Sequence, residues 1–140
     1  MSLEENRAIV RRFTEEVINR GDLAAIERYV ATSYLDHTAD AGQAVGAEGL
    51  KQRMAMARSA FPDLHLAIDD LIAEGDQVVA RVTVSGTHRG EYMGILPTGR
   101  PFEIIEIHIV RVVRGKLVEH WGINDHMGLM QQLGVAPAQG

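Results

Sequence analysis

Apolar residues recur every three or four positions through the first half of the chain, and every second position through the second half. Ile9, Val10, Phe13, Val17 and Ile18 fall on one face of a helix. Ser2, followed three residues later by Glu5, is a capping-box pair that opens it. Gly21, after Asn19-Arg20, is a good terminator. Asp22 is placed to cap a second, shorter helix that carries Leu23, Ile26 and Val30 inward. The polar stretch YLDHTADAGQAVG reads as a loop. A third helix is predicted from about Ala47 to Ala60, with Leu50, Met54 and Ala57 on one face, and Pro62 ends it.

Strand patterns then take over. LHLAIDDLIAE is a first strand, its alternation broken by a bulge near Asp69-Asp70. After a turn at Glu74-Gly75-Asp76, QVVARVTVSGTH puts Val78, Ala80, Val82 and Val84 on one face and Val79, Arg81, Thr83 and Ser85 on the other. RGEYMGILPTGRP is a long connection. FEIIEIHIVRVVR is a third strand, Arg114-Gly115 turns the chain, and KLVEHWGIN returns as a fourth. DHMGLMQQLG predicts a short closing helix capped by Asp125, and the tail VAPAQG is expected to fray. Helices followed by consecutive antiparallel strands indicate an α+β fold rather than βαβ. A curved antiparallel sheet with helices on one face makes a half-open cone with an interior pocket. Residues 1–140 read as one domain.

Charge narrows the function. Lys and Arg number 14 against 19 Asp and Glu, a net charge of −5 without a basic stripe. Such a chain is a poor partner for nucleic acid or an anionic membrane, since phosphate contacts dominate that affinity. No apolar run approaches the roughly 18 residues of a membrane span. MSLEENRAIVRRF lacks the basic-then-apolar order of a signal peptide. There are no cysteines, hence no disulfide, thiolate nucleophile or cysteine zinc site, and a cytoplasmic location fits.

The third strand carries the most chemistry. Ile105, Ile107 and Ile109 form an apolar face, while Glu106 and His108 sit between Ile104 and Val110 on the other. A Glu and a His side by side in mid-strand are costly to bury without partners. They line a pocket, or they face water or a dimer partner. In the fourth strand, Leu117, Glu119, Trp121 and Ile123 share one face, and Val118, His120, Gly122 and Asn124 the other. By pattern alone Trp121 is core and Asp125 a helix cap. His37 reads as surface, beside Asp36 and close to Tyr34 in the loop, and His88 lies at a strand end. No GxGxxG, P-loop, GxSxG or HExxH is present, and no spacing argues for a metal site or a cofactor.

The segments SGTHRGEYMGILPTGRPF, EIHIVRVVRGKLVEHW and GLMQQLG, in that order, resemble the SnoaL-like polyketide cyclase family. This family belongs to the nuclear-transport-factor-2-like cone superfamily, with ketosteroid isomerase and scytalone dehydratase. The resemblance spans essentially the whole chain. It implies a cone of three helices on a curved sheet, dimerised through the outer sheet face, with a small-molecule substrate. Its enzymes close rings by intramolecular aldol condensation of an ester, without metal or cofactor, using an Asp as general acid/base and a strand His as partner. The family His falls on His108, with Arg111 and Gly115 in step. The family Asp falls directly after Trp121, where this chain has Gly122, a residue that moves no proton and is expected to widen the pocket. A polar substrate-binding residue falls at Asp36, or at His37 with a one-residue slip. Three groups are candidates for the missing carboxylate's role: Asp125 from the strand end, Asp36 from the opposite rim, or His108 acting with Glu106. Tyr34, His37, Arg81, His88, Glu106, His120 and Trp121 are the expected substrate contacts. A non-catalytic binding module is the alternative.

Overall fold

The computed structural model describes residues 1–39 and 42–135, so all of the VAPAQG tail except Val135 lies outside the described residues. Helix α1 (Leu3–Phe13) opens as expected, with Ser2 Oγ accepting the Glu5 N–H at 3.0 Å. It then widens into a π-helical turn, Thr14–Asn19, with Val17 fully buried. The Asn19 side-chain amide donates to Leu66 O at 3.0 Å and accepts Leu66 N–H at 2.8 Å, tying the helix end to the sheet. Gly21 ends the run at φ 72°, where a Cβ would also lie 2.5 Å from Arg58 Nε. The expected second helix is shorter than its pattern suggests. A 3-10 turn, Leu23–Ala25, runs into α2 (Ile26–Tyr29) without a side-chain cap from Asp22. Val30 leaves the helix to begin a strand.

That strand, β1 (Val30–Asp36), corrects the loop expected at Tyr34–Asp36. It lies at a sheet edge, parallel to the last strand, and its pairing shifts between Val30 and Leu35. The irregular pairing removes the alternation by which a strand is recognised. Helix α3 (Gly46–Ala60) follows, then β2 (His65–Glu74), β3 (Gln77–Thr87), β4 (Pro101–Val113), β5 (Lys116–Asn124) and α4 (His126–Leu133). The order across the sheet is β1-β5-β4-β3-β2, antiparallel except for the β1–β5 pair, so the sheet is mixed.

Two bulges shape the sheet. One, between Ile68 and Asp70, is where the sequence predicts it. The other is at Val118: Val112 pairs with Leu117, but Arg111 pairs with Glu119. The extra residue turns the rest of β5 over. Leu117 is therefore buried in the core, while Glu119, Trp121 and Ile123 lie on the opposite face. The four residues expected to share a face are split.

The helices cover one face. Ile9, Val17, Ile26, Leu50, Val78 and Leu117 belong to one buried cluster, and Phe61, Val82, Val84, Phe102, Ile104 and Leu133 to a second. Each fully buried aliphatic side chain here contributes on the order of 1.5–3 kcal/mol. The convex face is left bare, with Ile105 55%, Ile107 49% and Ile123 79% exposed.

Candidate active site

Register settles which way Glu106 and His108 point. Glu106 is the cross-strand partner of Val82, and His108 of Ala80, both buried beneath the helices. Cross-strand partners share a face, so both polar side chains are on the concave side. Across the next strand pair, His108 meets Gly122 and Val110 meets His120. On the far side, His120 pairs with Asp36 of β1.

This register lines up four side chains in a continuous row. Glu106 Oε1 lies 2.8 Å from His108 Nε2. His108 Nδ1 lies 2.8 Å from His120 Nε2, with ring centroids 5.0 Å apart and the ring planes inclined by 26°. His120 Nδ1 lies 2.8 Å from Asp36 Oδ1. The same oxygen accepts the Thr38 N–H and Oγ–H, each at 2.9 Å, and Arg53 stands 3.6 Å from Oδ2. The side chains of Glu106, His108 and His120 remain 17%, 27% and 14% exposed, so solvent reaches this part of the row, whereas Asp36 is buried at its end.

Burial opposes the Asp36 charge. The hydrogen bonds from His120 and Thr38, with the attraction of the His120 charge, outweigh it and hold the carboxyl well below the usual range. Burial, and then the neighbouring Asp36 charge, push the Tyr34 hydroxyl up. A small cavity of about 60 Å³ adjoins this end, lined by Tyr34, Asp36, Gln43 and Val45 among others. That is well below the roughly 300–1,000 Å³ of a drug-sized ligand site.

Gly122 sits directly under the imidazole pair. A Cβ there would stand 2.7 Å from His108 Nδ1 and 3.0 Å from His120 Nε2. The space expected to widen the pocket is filled by the two rings. A carboxylate at 122 and the His108–His120 contact exclude one another.

The remaining candidates are elsewhere. Asp125 is exposed and caps α4, accepting the Gly128 N–H at 2.9 Å. His37, one residue past the end of β1, lies on the convex face, opposite Asp36. There it stacks on Trp121 at 4.7 Å and meets Glu119 at 2.8 Å. Glu119 also accepts from Arg111, and both contacts, that of His37 first, hold its carboxyl below the usual range. Arg81 is on the same face, paired with Asp70 at 2.6 Å. Trp121, His37 and Arg81 thus lie across the sheet from the row. His88 is fully buried and fastens the connection between β3 and β4: its Nδ1 accepts the Thr98 N–H, and its backbone pairs with Gly99 and Arg100. Among the described residues, no group of three His, Asp or Glu side chains converges as a metal would require. Sequence reasoning placed His120 only as a substrate contact. Its position two residues from Gly122 on one face was the available signal.

The family profile for SnoaL-like polyketide cyclases matches residues 8–133. The chain belongs to this family. Aklanonic acid methyl ester cyclase AcmA of Streptomyces galilaeus is 31% identical over 134 residues, covering 94% of this chain and 92% of that one. Nogalonic acid methyl ester cyclase of Streptomyces nogalater is 30% identical over 118 residues, covering 83% of this chain and 88% of that one. Among solved structures, TsrD from Streptomyces laurentii superposes with a TM-score of 0.89 at 30% identity, over 97% of this chain and 99% of that one. IdmH from Streptomyces antibioticus gives 0.80 at 33% identity, over 93% and 99%. The SnoaL-like cone is therefore the fold, as expected, with a parallel strand at its edge. Membership of the family makes this a small-molecule pocket protein. No helix among the described residues is long and apolar enough to cross a membrane.

Proposed function

We propose that the protein is a cofactor-independent acid–base enzyme that closes a ring on a carbonyl-bearing, polyketide-like ester. Glu106 and His108 are the groups that meet the substrate. The observation that carries this reading is the 2.8 Å Glu106–His108 contact on the solvent-reached part of the concave face, where a ligand would lie. A proton leaves a carbon next to a carbonyl and passes to Glu106, and the C–H electron pair becomes an enolate. The enolate carbon attacks a second carbonyl within the molecule, and its oxygen becomes an alkoxide. His108, hydrogen-bonded to Glu106, steadies the charge that the carboxylate loses and regains, and the proton returns from Glu106 to the alkoxide. Atoms balance, with no oxidant and no leaving group.

Incubation with aklanonic acid methyl ester and with nogalonic acid methyl ester, the compounds named for the relatives, tests the proposal. Conversion to a cyclised isomer of the same mass, lost in a folded His108→Ala variant, is the expected result. Tight binding without conversion of either ester would favour a binding module, the reading that the missing carboxylate at Gly122 supports.

Two further assignments belong to this reading. The convex apolar face of Ile105, Ile107 and Ile123 is the seat of a homodimer, and the enzyme works in the cytoplasm. Light scattering should give twice the chain mass, and Ile107→Lys should return it to the monomer.

A further inference from the structure

The contacts of the row fix its proton count. Asp36 already accepts two hydrogen bonds from Thr38 and faces Arg53, so it is ionised, and the proton of its contact with His120 resides on His120 Nδ1. The 2.8 Å contact between His120 Nε2 and His108 Nδ1 joins two ring nitrogens. Two bare lone pairs repel at that distance, and two N–H groups collide, so it holds one proton. The same argument gives one proton to the contact between His108 Nε2 and Glu106 Oε1. Two neutral imidazoles supply only two protons for the three contacts.

We infer that Asp36, His120, His108 and Glu106 hold one shared proton beyond those of two neutral histidines, and that His120, backed by Asp36, is the partner of His108 in the space that Gly122 leaves. Asp36 and His120 are positioning residues in this arrangement. The inference rests on the acid–base reading above and says how that site is loaded. The row carries a net charge of −1. Its extra proton resides on His120, on His108 or on Glu106, and each placement keeps all three contacts. A proton taken from a substrate carbon would be one too many for the contacts. It must leave for the alkoxide within the same turnover, so the row ends each cycle as it began. Gly122 is the precondition, since its missing Cβ is what lets the rings meet. Tyr34 from β1 and Arg53 from α3 are the other titratable groups beside Asp36.

Nuclear magnetic resonance of the whole protein tests this without any substrate. Ring ¹⁵N shifts of His108 and His120, with the ¹³C shift of the Glu106 carboxyl, count the protons at neutral pH. His108→Gln and His120→Gln variants assign the signals. The expected total over these three groups is three. Gly122→Ala should separate the rings and lower the count from three to two. Should that variant not fold, His120→Phe keeps the bulk but offers no nitrogen. One contact then remains, to Glu106, and the count should fall to one. A total of two in the unaltered protein, or spectra unchanged by Gly122→Ala, would overturn the inference. A count of three without turnover of any ester leaves the inference standing and removes the enzyme reading. Turnover with a count of two does the reverse.

Discussion

On the concave face, His108 Nε2 lies 2.8 Å from Glu106; on the convex face, His37 Nε2 lies 2.8 Å from Glu119. The two pairs are chemically identical in isolation. They differ in what lies behind each histidine. His37 stacks on Trp121 and ends there, while Glu119 is shared with an Arg111 that also reaches Asp76. His108 passes its second nitrogen to His120, and through it to a buried, ionised Asp36. A histidine beside a carboxylate is therefore not yet a site. Continuity into a desolvated charge, on the concave face, distinguishes one pair from the other.

The largest expected difference is in turnover of an accepted ester. His108→Ala breaks the Glu106–His108 acid–base pair and should lower it by about 10²–10⁴-fold, the usual worth of a general acid or base. His37→Ala should leave it within a few-fold. Comparable losses from both variants, measured on proteins with matching circular dichroism, would erase the distinction.

Stability should separate the two carboxylates as well. Asp36→Ala strips the row of its buried charge, and loss of a hydrogen bond to a charged group costs about 1.5–3 kcal/mol. Urea unfolding at neutral pH should read a loss of that size. Glu119→Ala removes a pair that solvent already screens, and its unfolding midpoint should move much less.

A subtler difference lies in acid. The folded Asp36 carboxyl is held below its ordinary value of 3.8, so its stabilising effect is complete above that value and fades as the pH falls towards the folded one. The gap in stability between the unaltered protein and Asp36→Asn should accordingly be widest near neutrality and narrow below about pH 4. A gap that grows on acidification would contradict the ionised Asp36. The smallest effect should come from Glu119→Gln. Its unfolding midpoint at neutral pH should stay close to that of the unaltered protein.

Much of the concave face was legible in the chain. Alternation alone put Glu106 and His108 together on one face, and the register with β3 came from the structure. The resemblance carried Asp36 to the rim. What alternation could not show is the Val118 bulge, because KLVEHWGIN reads as a strand with or without it. Counted from the Arg114–Gly115 turn without that bulge, His108 would face Trp121 rather than Gly122. The bond between His120 and His108 depends on that bulge. β1 escaped for a related reason, since an edge strand with shifted pairing leaves no periodic mark.

Val118 also sets the phase of everything that follows it in β5. If Val118 paired with Arg111 instead of bulging, no ionisable group would change, yet the rest of β5 would slip by half a period. His120 would rotate out to the convex side, and the indole of Trp121 would arrive over His108. The acid–base row is in this sense a property of spacing as much as of composition. An added residue between Glu119 and His120 should be tolerated far less well than a substitution at Val118.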